Sequence, residues 1–146
     1  NDPRLLIGDE PTAGLDPQER VRFRNLLSNL AGERIVILST HIVSDVEAVA
    51  TDIVLIKQGR AIKHALPETL LEAVEGKVWQ LVVSSADLPD LKQRVLVGSA
   101  ARKSDGVHAR VVSDQPPTGE AVSVDPVLED AYLYFISGAD RDGGQV

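Results

Sequence analysis

The most informative segment of this chain is Leu5-Leu6-Ile7-Gly8-Asp9-Glu10-Pro11-Thr12-Ala13-Gly14-Leu15-Asp16-Pro17. Residues 4–8 form a short apolar run that ends at two acids, as expected for a strand buried on both faces of a parallel sheet. Asp16 and Pro17 then predict the start of a helix, with Asp16 as its N-cap. Asp9 and Glu10 therefore follow the end of the strand, which is the edge where open α/β sheets bind ligands.

The next segments continue an alternation of helix and strand. The predicted helix has four apolar residues at helical spacing and ends at Gly32: Phe23, Leu26, Leu27 and Leu30. Residues 35–38 predict a second buried strand that ends in Ser39-Thr40-His41. A short helix follows, with Ser44 and Glu47 placed as a capping box. This order implies parallel strands joined by crossover helices.

The remaining chain predicts three further parts. Residues 52–64 read as two strands around a Gly-containing loop, which is typical of a hairpin, and a helix runs from Pro67 to Gly76. Residues 77–137 predict a small α+β unit, with strands at 78–83, 95–98 and 107–112 and helices at 88–94 and 126–136. Residues 138–146 are polar and Gly-rich and predict a disordered tail.

Composition excludes several classes of function. No run of 18 apolar residues is present, so no membrane-spanning helix is predicted. The sequence has no Cys, which removes disulfides and thiolate metal sites and is compatible with the cytoplasm. The net charge of −7 is divided evenly, and neither half is basic. Nucleic acid is therefore not an expected partner.

Asp9 and Glu10 are the candidate chemical groups. A carboxylate at such a strand end can hold Mg²⁺ through water, because Mg²⁺ keeps several waters and takes only one or two carboxylates. The following acid can orient or deprotonate an attacking water. The alternative interpretation is that both acids simply begin a solvated loop.

Two motifs resemble segments of one enzyme family. Residues 5–17 resemble the Walker B and D-loop segment of the ABC ATPases, and Ile35-Val36-Ile37-Leu38-Ser39-Thr40-His41 resembles their switch-histidine strand. The resemblance covers residues 1–76. It implies an α/β fold: the C-terminal part of a P-loop NTPase (ABC ATPase) domain with parallel strands and a following hairpin. Residues 77–137 would form an accessory α+β unit.

The resemblance also implies roles for individual residues. Asp9 matches the acid that holds Mg²⁺, Glu10 matches the catalytic base, and His41 matches the residue that contacts the γ-phosphate and the catalytic water. Gly14 and Asp16 match the loop that faces a partner subunit and couples two nucleotide sites.

Other residues carry no such role or depart from the family. Gly8 stands where the family usually has a bulky aliphatic residue, and glycine weakens a strand interior. His64 and His108 have no comparable context and are interpreted as surface residues.

The sequence has neither a G-x-x-x-x-G-K-[ST] loop nor a Leu-Ser-Gly-Gly-type signature segment. In the family both precede the strand that ends at Asp9. The chain begins at Asn1 without Met and reaches a strand almost at once, which we interpret as a boundary within a larger protein. We therefore expect the intact subunit to use Mg²⁺ and ATP, and the chain alone to be inactive and to bind neither tightly.

Residues 124–134 resemble the segment that closes many ABC-2 exporter ATPase subunits. The resulting interpretation is an ATP-binding subunit that couples Mg-ATP hydrolysis to export. Its implied partners are a second ATP-binding subunit and membrane-spanning permease subunits, which would hold it at the cytoplasmic face of the membrane. The strand at residues 5–7 would leave an open apolar edge, so the chain alone is also expected to self-associate.

Two alternatives remain open at this point. An ABC ATPase of DNA repair or translation shares the motifs around Asp9, Glu10 and His41, although such proteins usually carry coiled-coil or basic insertions. The second alternative is a non-enzymatic role, in which residues 77–137 act as a regulatory or dimerisation module.

Overall fold

The computed structural model describes residues 3–142, with side chains described as far as Gly138. It forms two compact units, the first ending at Thr51 and the second beginning at Asp52. This division falls inside the region that the motifs assign to one nucleotide-binding domain. The domain boundary after Gly76 therefore stays a prediction, distinct from the boundary between the compact units.

The first unit contains β1 (Leu5–Asp9), α1 (Pro17–Ala31), β2 (Ile35–Ser39) and α2 (Val43–Glu47). β1 and β2 pair in parallel, with Leu5 opposite Ile35 and Asp9 opposite Ser39. The connection between them runs through α1, which contacts β2. The parallel pair with its crossover helix confirms the α/β prediction.

Local hydrogen bonds explain where the two helices begin. The carboxylate of Asp16 accepts from Glu19 N at 2.8 Å, and the Glu19 carboxylate accepts from Asp16 N at 3.2 Å. This reciprocal pair is a capping box, so the predicted N-cap is confirmed. The capping box predicted at Ser44 is wrong, because α2 already begins one residue earlier. α2 has no side-chain cap hydrogen bond, although Thr40 Oγ1 accepts from the N–H of its N-cap residue, Ile42, at 3.1 Å.

The sheet of the first unit has one apolar face that is open. α1 lies against the sheet on one side, and among residues 3–51 no element covers the other side. The prediction that β1 is buried on both faces is therefore wrong for this unit. Such burial requires a packed layer on each side of the sheet, and in the described part of this unit only α1 provides one. The open face carries four apolar side chains that are 48–72% exposed: Leu5, Ile7, Ile35 and Ile37.

The second unit begins with a hairpin, β3 (Ile53–Lys57) and β4 (Arg60–Ala65), and α3 (Pro67–Glu72). Gln58 and Gly59 both have positive φ, 49° and 75°, as a tight two-residue hairpin turn requires. The predicted hairpin is confirmed. α3 ends at Glu72, earlier than the predicted Gly76.

A four-stranded antiparallel sheet follows, in the order β6-β7-β5-β8. Its strands are β5 (Val78–Val83), β6 (Leu96–Lys103), β7 (Gly106–Val112) and β8 (Val122–Ser123), with α4 (Leu88–Arg94) and α5 (Leu128–Asp142) as helices. β6 is longer than predicted, and β8 was not predicted. α5 continues into the region predicted as a disordered tail; residues 143–146 of that prediction lie outside the described residues.

α5 ties the hairpin to the sheet of the second unit. Lys57 Nζ donates to the carbonyl oxygen of Ile136 at 2.8 Å, and Lys63 Nζ lies 5.4 Å from the centre of the Phe135 ring. These contacts join the hairpin to the C-terminal helix. They account for the hairpin's place in the second unit, although the motifs group it with the nucleotide-binding residues.

A buried ion pair also anchors α5. The Asp130 side chain is 2% exposed and accepts from Arg110 Nη2 at 2.7 Å, from Arg110 Nε at 3.0 Å and from Val127 N at 2.8 Å. Arg110 Nη2 also donates to the Asp125 carbonyl oxygen at 2.6 Å. The hydrogen bond with Asp130 raises the pKa of the Arg110 guanidinium. The pair therefore holds the start of α5 on β7.

No helix within residues 3–142 is long and apolar enough to cross a membrane.

Candidate active site

The ends of β1 and β2 are joined by polar groups at their carboxyl edge. Asp9 is the last residue of β1 and lies opposite Ser39, the last residue of β2. The Ser39 hydroxyl donates to Asp9 Oδ1, and Glu10 N donates to the Ser39 carbonyl oxygen at 2.8 Å. Parallel strands present their carboxyl ends at one edge, so residues 30 positions apart in sequence meet there.

Glu10 and His41 form a close pair at this edge. Glu10 Oε1 lies 2.7 Å from His41 Nδ1 and accepts from His41 N at 3.0 Å, while Glu10 Oε2 accepts from Thr40 Oγ1 at 3.1 Å. Glu10 has φ of 46°, in the left-handed region that non-glycine residues rarely occupy. Such strain persists only where the surroundings hold it, and it is common at functional sites.

These contacts set the charge of Glu10. The hydrogen bond from His41 is the main cause that lowers the pKa of the Glu10 carboxyl below its ordinary 4.5; Thr40 adds to this and burial opposes it. Glu10 is therefore ionised at neutral pH. Because the folded-state pKa is lowered, these contacts stabilise the fold at pH values above the unfolded-state pKa. That stabilisation is lost as the pH falls through the lowered value.

The same contacts decide what the pair can do chemically. An ionised carboxylate can orient a water molecule and accept a proton from it. Because Nδ1 of His41 faces Glu10, the ring is oriented and its other nitrogen, Nε2, is left for a further partner. The His41 side chain is 79% exposed, so a ligand can reach it.

The acids at this edge suit a magnesium ion held mainly by water. Asp9 is exposed at the strand end, and its neighbour Ser39 orients one of its oxygens. Within the described part of the chain, no group of three or more His, Cys, Asp or Glu is placed to hold a metal. A Mg²⁺ ion fits a single carboxylate, since it keeps most of its own waters and takes few protein ligands.

The turn after Glu10 contains the residues predicted to couple two subunits. Ala13 N donates to the Glu10 carbonyl oxygen at 3.0 Å, and Leu15 N donates to that of Thr12 at 3.2 Å. Gly14 has φ of 80° and no atom near the place a Cβ would occupy. Asp16 caps α1. The coupling roles of Gly14 and Asp16 stay predictions.

Gly8 lies where the strand passes close to its neighbours. A Cβ at this position would be 3.2 Å from Leu38 Cδ2 and 3.5 Å from Pro11 Cβ. The first of these distances is short, so the end of the Leu38 side chain would have to shift slightly, whereas the second is an ordinary contact.

One residue of the site was missed by sequence reasoning. Asp45 in α2 is 7% exposed, and its Oδ2 accepts from Thr12 Oγ1 at 2.5 Å. Its Oδ1 lies 3.9 Å from Arg24 Nη1. A lone acid in a short helix has no spacing signal, so only the fold reveals that it is buried beside the turn that follows Glu10.

The other two histidines form separate pairs in the second unit. His64 Nε2 lies 2.8 Å from Asp52 Oδ2, and His108 Nε2 lies 2.8 Å from Asp105 Oδ1. His64 is exposed, as predicted. His108, on β7, is only partly at the surface, with a side chain that is 19% exposed.

The fold brings Asp9, Glu10 and His41 to one edge of a parallel strand pair, the arrangement that the resemblance to the ABC ATPases implies. No protein-family model matches the chain. Curated relatives bear out the resemblance, and the chain fits a C-terminal part of an ABC transporter ATP-binding subunit.

Three of these relatives carry the name Nod factor export ATP-binding protein I. The chain is 40% identical over 77 residues to that of Burkholderia pseudomallei strain K96243 and 39% identical over 77 residues to that of Cupriavidus metallidurans, covering 52% of this chain and 25% of each relative. It is 41% identical over 73 residues to that of Rhizobium leguminosarum bv. viciae, covering 49% and 24%. The matched part thus spans about a quarter of each relative's length.

Among solved structures, the chain is similar to an inward-facing metal-chelate type ABC transporter. The TM-score is 0.43 at 21% identity, over 77% of this chain and 41% of that chain.

Proposed function

We propose that this chain is part of the ATP-binding and hydrolysing subunit of an ABC transporter that couples Mg-ATP hydrolysis to export. The observation that carries the proposal is the pair formed by Glu10 and His41 at the sheet edge, beside Asp9. The names of the relatives, which are export ATP-binding proteins, support the direction of transport.

Each group has a distinct task in this proposal. Glu10 orients the water that attacks the γ-phosphate and accepts its proton, as the new P–O bond forms and the bond from the γ-phosphorus to the ADP oxygen breaks. His41 holds Glu10 through Nδ1 and contacts the phosphate or the water through Nε2. Asp9 would hold Mg²⁺ through water, and the ion would supply positive charge beside the phosphates.

The remaining partners follow from the same proposal. A second ATP-binding subunit would face the turn of Gly14 and Asp16, and permease subunits would hold the assembly at the cytoplasmic face of the membrane. The chain alone, whose sequence has no phosphate-binding loop, would not hydrolyse ATP.

His41→Ala tests the proposal in the complete subunit. We expect turnover to fall by about 100-fold, the usual scale for losing a group that contacts developing charge. Steady-state phosphate release with Mg-ATP measures it. His64→Ala is the matched control, because His64 is also an exposed histidine paired with a carboxylate at 2.8 Å. Equal activity of the two variants would contradict the role of His41.

The open face of β1 and β2 supports the expected self-association of the chain. Its four aliphatic side chains form a contiguous patch, because Leu5 lies opposite Ile35 and Ile7 opposite Ile37. Exposed apolar patches on sheets favour pairing with another chain.

We expect the chain to associate as its concentration rises, and we expect ATP not to change this association. The Ile7→Lys variant should not associate. Val21→Lys is the control, since Val21 is an exposed aliphatic residue of α1 in the same unit. Analytical ultracentrifugation distinguishes these outcomes. A monomer at all concentrations, or a dimer formed only with ATP, would refute the prediction.

A further inference from the structure

We propose that Asp45 is a positioning residue of this site, a buried anchor that holds the turn following Glu10 against the helix following His41. The expected effect of Asp45 on turnover rests on the function proposed above. Its expected effect on the position of Glu10 does not depend on ATP hydrolysis.

Asp45 contacts each of the segments that carry the candidate functional residues. It lies in α2, which begins two residues after His41. Its Oδ2 accepts from the hydroxyl of Thr12, which is 2% exposed and follows Glu10 by two residues. Its Oδ1 faces Arg24 Nη1 at 3.9 Å, and Arg24 belongs to α1, the helix capped by Asp16.

A gain in folding stability does not explain why a carboxylate occupies this buried position. Burying a charge is costly unless strong hydrogen bonds and a close counter-charge compensate, and an apolar residue of similar volume usually does as well or better. Asp45 Oδ1 accepts no hydrogen bond from the described residues, and Arg24 lies beyond hydrogen-bond distance from it. What the carboxylate provides is a directed contact with Thr12, which an aliphatic side chain cannot supply.

That contact bears directly on Glu10. Glu10 has the strained φ of 46° and begins a turn closed by the hydrogen bond from Ala13 N to its carbonyl oxygen. Thr12 is inside this turn. Holding Thr12 on α2 therefore helps to fix how far Glu10 lies from His41, whose side chain is 79% exposed and is little held by packing.

The first test measures the pairing of Glu10 with His41 directly in this chain. ¹H–¹⁵N NMR follows hydrogen exchange of the His41 backbone amide, which donates to Glu10 Oε1 at 3.0 Å, in the wild type and in Thr12→Val, which removes the hydroxyl but keeps the shape. We expect this amide to exchange severalfold faster in Thr12→Val, because the pairing of Glu10 with His41 loosens. Thr12→Ser, which keeps the hydroxyl, and Ser44→Ala, an exposed site on α2, should match the wild type.

The second test measures turnover in the complete subunit. Thr12→Val and Asp45→Leu should lower kcat by about 10- to 100-fold, since a displacement of about 1 Å can cost 100-fold. The KM for ATP should change by less than about threefold, and Thr12→Ser should restore kcat. A circular dichroism spectrum and melting curve of each variant accompany the rates.

The outcomes separate the two proposals. If Glu10→Gln leaves turnover intact, the proposed function fails, whatever Thr12 does. If Glu10→Gln abolishes turnover while folded Thr12→Val keeps both a wild-type kcat and wild-type hydrogen exchange of the His41 amide, the positioning role of Asp45 is wrong. An equal loss in Thr12→Val and Thr12→Ser would also overturn it, because the hydroxyl would then be irrelevant.

Discussion

Glu10→Gln in the complete subunit is expected to lower the rate of ATP hydrolysis by about 10²–10⁴-fold, the usual scale for a general base. The substitution keeps the size of the side chain and one acceptor oxygen, so the turn can still form. It removes the negative charge that orients the water and receives its proton. ATP binding should persist, because Glu10 acts on the water and makes no contact needed to hold the phosphates.

Two measurements check this expectation: phosphate release at saturating Mg-ATP and equilibrium binding of labelled ATP. Glu33→Gln serves as the control, since it makes the same change of charge at an exposed position of the same unit. Turnover within a few-fold of the wild type would show that Glu10 is not the base. Loss of ATP binding would show that Glu10 helps to hold the nucleotide.

Asp130→Ala is expected to destabilise the second unit by about 3 kcal/mol, near the lower end of the range for breaking a buried pair, because Arg110 remains one-quarter exposed. The substitution leaves the Arg110 guanidinium without its carboxylate. It also removes the acceptor of Val127 N, so the start of α5 loses its cap.

The fluorescence of Trp79, the one Trp in the sequence, reports unfolding of this unit in urea. Trp79 lies on β5, and its indole N–H donates to the Ser113 carbonyl oxygen at 3.0 Å. Asp90→Ala is the control, because Asp90 and Arg94 form an exposed pair one helical turn apart, worth roughly 0.5 kcal/mol or less. A similar small change in both variants would mean that the Arg110–Asp130 pair contributes little.

The candidate site shows which features local sequence could predict. Asp9 and Glu10 follow one apolar run, His41 follows another after Ser39 and Thr40, and the carboxyl ends of parallel strands share one edge. That rule alone predicts that residues 30 positions apart in sequence lie close together. It does not reveal that His41 bonds to Glu10 through Nδ1, because this depends on the strained backbone of Glu10 and on the placement of Thr40.

The second unit shows where such prediction fails. The apolar spacing of α5 predicts a helix, and Leu128 and Ala131 are indeed buried. The most buried acid of that helix, Asp130, has no distinguishing pattern, because its partner Arg110 is 20 residues earlier on a strand. The short strand β8 was missed for a similar reason. It pairs over only two residues, and its stability comes from β5 rather than from its own sequence.

The sequence by itself determined the alternation of strands and helices, the cap at Asp16, the hairpin turn at Gly59 and the position of the acids at a strand end. These follow from interactions within a few residues, namely apolar spacing, capping hydrogen bonds and backbone preference. Tertiary structure alone decided that Asp45 is buried against Thr12, that Arg110 holds Asp130 and that the hairpin joins the second unit. Those outcomes depend on contacts between residues 20 to 79 positions apart, whose free energy exists only once the surrounding elements exclude water.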